Sequence, residues 1–354
     1  MCGVALYYIM ENIKAFGRAA PHYIFHKAII KVTDIISNTL PESIKGWRVG
    51  RRELAKILFK ANINIGYPAR IGGNAGIADQ DSISYQLRKI SLEDCLKLNQ
   101  IIGMIALKLI KRSKNCIALI DTSEIEFYGR RDADVYYSPT RNRYVLRYMV
   151  LSTITHNRVI PISIRPTKMG MFPENIVETL VEDAYMLGFN IRFMMLDRGF
   201  HTNAVVKKLV GLNISFIIGA KKTRRIKRIL DGLEPGFHVI PFNVDGVDVS
   251  LVARWVDGEW YTYLCWMLNP HVAYFYYKRW GIESCIRMFK LFLAKTCARS
   301  HMLRYLFLLI SALIYVTYLL LLASGVVDSY MDFIGFLVQI FAETFLPVTK
   351  AKIA

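Results

Sequence analysis

The chain has 354 residues, 53% of them hydrophobic, with a formal net charge of +18. Such a length and apolar content exclude a disordered polyelectrolyte and bury a core easily. The charge points to a polyanionic partner, either nucleic acid or an anionic membrane surface.

Residues 1–115 read as helical. The apolar run Val4–Met10 is too short for a targeting segment, and Glu11 interrupts it. Ala28–Leu40 keeps a helical period until Pro41, and Arg51–Ala61 sets Leu54, Ile57, Leu58 and Ala61 on one face with basic residues opposite. Gly66–Gly76 reads as a loop, because its GGNAG lacks the Lys-Ser/Thr of a phosphate-binding turn. Ser82–Ile90 and Ser91–Lys111 resume the helical period, with Ser91 and Asp94 spaced for an N-terminal cap. The segment holds 18 Lys/Arg against 8 Asp/Glu, more than half of the excess charge. A basic helical bundle that binds DNA is the expectation for this third of the chain, with a merely solubilising surface as the alternative.

From Cys116 the period changes. CIALIDTSEIEFYG reads as a strand whose buried part ends at Asp121. A basic, aromatic connection (Gly129–Arg143) leads to two further strands, Tyr144–Thr155 and Val159–Arg165, joined as a hairpin around His156-Asn157-Arg158. Helix Asn175–Leu187, ended by Gly188, precedes strand Ile191–Leu196, which runs into Asp197-Arg198-Gly199-Phe200. Helix Asn203–Leu212 and strand Ser215–Ile218 follow, then the run Lys221–Arg228, in which Lys221, Lys222, Arg224, Arg225, Lys227 and Arg228 are basic. After a strand, such a run suits a phosphate-contacting loop. Residues 229–270 read as a β-rich insertion whose Trp255, Trp260 and Trp266 suit either packing or stacking on a nucleobase.

Tyr274–Lys290 is the most informative stretch. Tyr276, Arg279, Glu283 and Lys290 stand at offsets of three, four and seven. On a continuous α-helix, at ~100° per residue, they fall within an arc of roughly 60°. A stripe of one carboxylate between two cations and a phenol suits a groove that receives an anionic polymer; a solvated polar face is the bland alternative. The spacing Y-x2-R-x3-E-x6-K resembles the third catalytic motif of DDE transposases, specifically the enzymes of bacterial and archaeal insertion sequences. Asp121 (in IDTSE) and Asp197 (in LDRGF) match that family's two upstream acidic motifs.

The resemblance implies an α/β fold, a ribonuclease H-like mixed sheet flanked by helices, over 116–327. A helical DNA-binding domain (1–115) precedes it, and a helical tail (328–354) follows. In that fold the first and fourth strands are neighbours, so Asp121 and Asp197 meet at one sheet edge and the last helix brings Glu283 to them. The resemblance further implies that the three acids hold two Mg²⁺ ions, with Mn²⁺ as a substitute, and that Tyr276, Arg279 and Lys290 contact DNA. Three converging carboxylates themselves call for cations. Metal-dependent cleavage of double-stranded DNA at element ends, then transfer of the 3′-end to target DNA, is the implied activity. A homodimer working in the cytoplasm, associated with the nucleoid, is the implied setting.

One feature favours another reading. Tyr305–Val327 carries no charge and is long enough to span a bilayer, although a transposase would keep it as a buried core helix behind the sheet. A non-catalytic DNA-binding regulator, a ribonuclease H-like nuclease and a C-terminally anchored basic protein are the competing functions. The six cysteines form no C-x-x-C pair and the seven histidines no H-E-x-x-H, so reduced, buried thiols and no zinc site are expected, with His22 and His26 in packing roles.

Overall fold

The computed structural model describes residues 21–41, 49–63, 66, 68–74, 79–110, 115–132, 134–155, 158–168, 170–296 and 298–345. The first elements are helices α1 (Pro21–Thr39), α2 (Arg51–Ile63), α3 (Pro68–Asn74), α4 (Gln80–Leu87) and α5 (Leu92–Leu109). Strands β1 (Asn115–Glu126), β2 (Val135–Ser138), β3 (Arg143–Thr155) and β4 (Arg158–Pro166) follow. Then come α6 (Pro173–Met186), β5 (Asn190–Leu196), α7 (Asn203–Gly211), β6 (Ser215–Gly219) and α8 (Arg224–Leu230). The chain continues with β7 (Phe237–Val244), β8 (Val247–Val256), β9 (Glu259–Trp266), α9 (Trp280–Lys290), α10 (His301–Ala323) and α11 (Tyr330–Phe345). Two compact units result: a sheet unit of residues 110–127 and 131–286, and a helical unit of residues 1–109, 128–130 and 287–354.

The sheet has nine strands in the order β2-β3-β1-β5-β6-β9-β8-β7, with β4 also paired to β3. Its centre, β1-β5-β6, is parallel and buried, which is why these strands read as nearly unbroken apolar runs. The expected neighbourhood of the first strand and Ile191–Leu196 is observed, with Ile120 opposite Leu196. The insertion extends this same sheet, because β9 pairs antiparallel with β6. Two tight turns set its register. Asp245-Gly246 and Asp257-Gly258 both take positive φ (50° and 89°; 49° and 86°), the geometry of a two-residue type I′ hairpin turn. Pro241 is tolerated because β7 is an edge strand. One strand escaped the sequence: β2, four residues inside the basic connection, pairs with β3.

Helix α6 is fastened to β4 through a buried acid. Asp183 accepts hydrogen bonds from Ser163 Oγ (2.5 Å) and Arg165 Nε (2.7 Å), and Arg165 Nη2 reaches its other oxygen. Every oxygen of this carboxylate is occupied by a neighbour, as a structural acid requires.

In the helical unit the N-terminal helices present apolar stripes, and α10 covers them. Leu98, Ile102 and Ile105 of α5, with Phe25 and Ile36 of α1 and Leu58 of α2, are all buried. Helix α10 is long and apolar enough to cross a membrane, but 89% of its most apolar window is buried inside the protein. It packs against α5, α1 and α2. Asn62 Nδ2 donates to the Phe307 carbonyl (2.9 Å) within this core. By its contacts the helix falls in the compact unit of the N-terminal helices, since an all-round apolar helix fits a bundle that would otherwise expose its stripes. Phe333 of α11 is buried against Phe25, Phe292 and Tyr318.

Two local expectations need correction. Pro68–Asn74, read as part of a loop, is a short helix. Proline suits its first position, and the bare Cα of Gly72 lets it close on Ile57 and Ile83, where a Cβ would come within 2.8 and 2.2 Å. The stretch Pro270–Arg279 is a 3₁₀ helix, and the α-helix begins only at Trp280. Tyr276, Arg279, Glu283 and Lys290 therefore do not lie on one continuous α-helical stripe.

Other local readings agree with the structure. Ser91 N–H donates to Asp94 Oδ2 (2.9 Å) and Asp94 N–H to Ser91 Oγ (3.2 Å), a reciprocal cap. β3 and β4 form the expected antiparallel hairpin, whose turn residues His156 and Asn157 lie outside the described residues. Cys95, Cys116, Cys265 and Cys285 are buried, with no disulfide among the described residues; Cys2, Cys297 and the run Val4–Met10 lie outside the described residues. His22 packs edge-on against Phe336.

Candidate active site

The two aspartates owe their placement to strand lengths. β1 and β5 run parallel, in register from Ile117 and Phe193 up to Ile120 and Leu196, so Asp121 and Asp197 are the next residues on adjacent strands. Neighbouring strands are ~4.8 Å apart, which sets the scale of their separation. β5 stops there, while β1 continues to Glu126 paired only with β3. Asp121 Oδ1 accepts from the Thr122 N–H (2.7 Å), and Asp197 Oδ1 from the Gly199 N–H (2.8 Å).

Arg279 brings in the third acid. Its Nη2 donates to Glu283 Oε1 (2.9 Å) and its Nη1 to Asp121 Oδ2 (3.3 Å). The guanidinium is buried, the Asp121 side chain is 15% exposed, and the Glu283 side chain is 50% exposed. Burial pushes the Asp121 carboxyl above the usual aspartate range. The Thr122 N–H and Arg279 pull it down, while the charges of Asp197 and Glu283 push it further up. Asp121, Asp197, Glu283 and Arg279 thus form one electrostatic cluster.

Nearby acids are used differently. Glu124, three residues on in the same strand, is bonded by Arg147 (2.9 Å) and Ser138 (3.0 Å), and Asp183 is saturated as described. The cluster of Asp121, Asp197 and Glu283 instead sets the Arg279 guanidinium against three carboxylates. That donor set fits divalent cations, which are hard ions with a preference for carboxylate oxygens.

Beside Asp197 opens a cavity of about 470 Å³, lined by Arg198, Arg254, Tyr274, Tyr277 and Trp280 among others. The aromatic wall continues as a stack, with the Arg254 guanidinium 4.6 Å from the Tyr274 ring and Phe237 5.2 Å beyond it. Sequence reading passed over Arg254 and Trp280. Trp280 is 65% exposed, an unusual position for a tryptophan, and it directly follows Arg279. Trp255, Trp260 and Trp266 line none of this cavity. Trp266 stacks on Phe216, and Trp255 packs edge-on against Trp260.

Of the basic run, Lys221, Lys222, Arg224, Lys227 and Arg228 are exposed. Arg225 is also exposed but committed, donating to the Asn243 carbonyl (3.0 Å) and lying 4.2 Å from the Phe242 ring centroid. Thr223 caps α8 by accepting from the Ile226 N–H. The Lys221 N–H donates to His201 Nδ1 (2.7 Å), fixing the start of the run beside the loop that follows Asp197. Lys290 ends helix α9 in the helical unit. Tyr276 is mostly withdrawn from solvent; its hydroxyl donates to the Leu196 carbonyl (2.6 Å).

Comparison with known proteins agrees with this arrangement. The family described as Transposase DDE domain matches residues 112–317, more than half of the chain. Among solved structures, the piggyBac transposase synaptic complex with hairpin DNA aligns with a TM-score of 0.59 and 13% identity, over 94% of this chain and 84% of that one. The Drosophila P element transposase strand transfer complex aligns with a TM-score of only 0.26 and 11% identity, over 54% of this chain and 46% of that one. Overlap that slight says nothing about the fold. No curated protein matches the sequence significantly. The nine-stranded mixed sheet flanked by helices is a ribonuclease H-like transposase fold, shared with the piggyBac structure, and the chain belongs to the DDE transposase family.

Proposed function

We propose that Asp121, Asp197 and Glu283 are the catalytic carboxylates of a cut-and-paste reaction on double-stranded DNA. The observation that carries this reading is the register of β1 and β5, which puts two aspartates side by side at the end of a buried parallel pair, with Arg279 joining the third acid to them. Asp121, Asp197 and Glu283 would hold divalent cations, Mg²⁺ or Mn²⁺, which would supply Lewis-acid activation of the attacking hydroxyl and stabilisation of the leaving oxygen.

The chain's own residues do the rest. Asp121 and Asp197 are held by backbone N–H donors, so their orientation is preset before DNA arrives. Arg279 offsets part of the carboxylate charge and keeps Glu283 turned toward Asp121. Exposed Lys221, Lys222, Arg224, Lys227 and Arg228, with Lys290, contact phosphates and fix the register of the DNA without reading sequence. Arg225 steadies the same segment through β7. In the first step a water oxygen bonds to phosphorus and the DNA 3′-oxygen departs with a proton as a hydroxyl. In the second, that hydroxyl attacks a phosphodiester of target DNA and releases a new 3′-hydroxyl.

Residues 1–115 would bind the element ends, and two copies would hold the pair of ends together. The reaction would take place where the DNA lies, in the cytoplasm on the nucleoid. Joining of a pre-cut 3′-end to plasmid DNA tests the reading. The wild-type chain should join in Mg²⁺ and Asp197→Ala should not, while both bind the end alike. Joining by Asp197→Ala would refute the assignment, and cleavage without joining would favour a nuclease.

A further inference from the structure

The resemblance assigns Tyr276 a contact with DNA, but its hydroxyl is engaged inside the fold. It donates at 2.6 Å to the carbonyl of Leu196, the last residue of β5 and the one directly before Asp197. The Tyr276 ring packs on Tyr263 of β9 at 4.8 Å between centroids. At the end of β6, the neighbouring strand, Gly219 makes room for it. A Cβ there would stand 2.9 Å from the Tyr276 hydroxyl and 3.3 Å from the Arg198 nitrogen, and neither gap is wide enough.

We infer that Tyr276 is a positioning residue that clasps the end of β5 and thereby sets the direction of the Asp197 carboxylate. Asp197 is bracketed in this way. On its C-terminal side the Gly199 N–H holds Oδ1, and on its N-terminal side the clasp holds the peptide that carries it. Three consecutive strands contribute: β5 offers the carbonyl, β6 the glycine that leaves space, and β9 the ring that backs the tyrosine. Arg279 follows three residues later in the same 3₁₀ segment, so the phenol and the guanidinium are aimed from one rigid piece of chain at two members of the cluster. A phosphate ligand would need its donor free and turned outward. This hydroxyl is spent on a backbone acceptor, and burial raises its pKa to about 12, so it stays a neutral donor.

The clasp rests on the catalytic reading of Asp197, and its test separates the two. Tyr276→Phe removes only the donor, and Gly219→Ala pushes the hydroxyl away while keeping it. In the full-length protein, hydrogen exchange of the backbone from 190 to 200 should quicken roughly five- to tenfold in both variants, the loss of about one hydrogen bond. This readout needs no DNA cleavage. In single-turnover cleavage of an end duplex, both variants should lose about tenfold or more in rate at saturating DNA, because a small misplacement of a reacting group is amplified in the rate. Their DNA affinity and its salt dependence should stay at wild-type values. Unchanged exchange in Tyr276→Phe would overturn the clasp whatever the activity. So would an unchanged saturating rate with weaker binding and a salt slope lower by about one, which would mark a phosphate contact. Faster exchange in a protein that Asp197→Ala leaves fully active would instead overturn the catalytic reading, and with it the consequence for the rate.

Discussion

Arg279→Gln removes the cation that bridges Asp121 and Glu283 while keeping a shorter, polar side chain. The native guanidinium is 9% exposed and serves Asp121, itself 15% exposed, and Glu283, 50% exposed. Breaking a buried ion pair by deleting one partner costs about 3–5 kcal/mol. The half-exposed Glu283 arm is worth only about 0–1 kcal/mol after solvent screening, so most of the loss comes through Asp121. The expected destabilisation of the sheet unit is therefore about 3 kcal/mol, read as a lower urea midpoint by circular dichroism. Added divalent cation should return much of it. A ligand present at 100 times its dissociation constant stabilises by about 2.7 kcal/mol, and Arg279→Gln no longer has a guanidinium competing for the same carboxylates. The variant should therefore respond to Mg²⁺ more strongly than the wild type. Equal midpoints for both proteins, with equal Mg²⁺ responses, would refute the picture of a charge-starved acidic cluster.

Other perturbations test separate parts of the structure. Changing Lys221, Lys222, Arg224, Lys227 and Arg228 to glutamine should flatten the salt dependence of end binding by up to ~0.9 for each phosphate no longer neutralised, measured by filter binding over a salt series. Arg225→Gln alone should lower thermal stability more than it alters that slope, because its partners are Asn243 and Phe242. Asp183→Ala removes the acid that Ser163 and Arg165 share and should cost about 3 kcal/mol by chemical denaturation. His201 has a pKa below the usual histidine value, first through burial and then through Lys221. Its folded form binds fewer protons than the unfolded chain, so its contribution to stability is complete above pH ~6.5 and shrinks as pH falls from there toward the lowered value. His201→Gln, compared with wild type by thermal melts from about pH 7.5 to 5, should lose this part of the pH dependence.

Much of the catalytic sheet was legible because its signals are local. CIALI before Asp121 and IRFMM before Leu196-Asp197 are buried parallel strands, and such strands read as plain apolar runs. The helix between them and the Ser91–Asp94 cap follow from period and end chemistry. The two Asp-Gly pairs of the insertion are an equally local signal for the β7–β8 and β8–β9 hairpins, but it went unread. What stayed hidden depends on partners distant in sequence. Nothing in Tyr276–Arg279 tells a 3₁₀ segment from an α-helix, since an offset of three suits both. The helical state of Pro68–Asn74 is imposed by Ile57 and Ile83, against the propensity of its glycines. The apolar character of His301–Ala323 announces burial but does not name the surface that buries it. Gly219 looked like any strand-end glycine until the Tyr276 hydroxyl stood beside it.

Cleavage of an end duplex under single-turnover conditions, with Asp121→Asn, Asp197→Asn and Glu283→Gln beside the wild type, tests the central claim most directly. These substitutions keep shape and remove charge. All three should bind the duplex within a few-fold of wild type and cut it no faster than background in Mg²⁺ or Mn²⁺. Wild-type cutting by any one of them would show that the three carboxylates do not act as a single site.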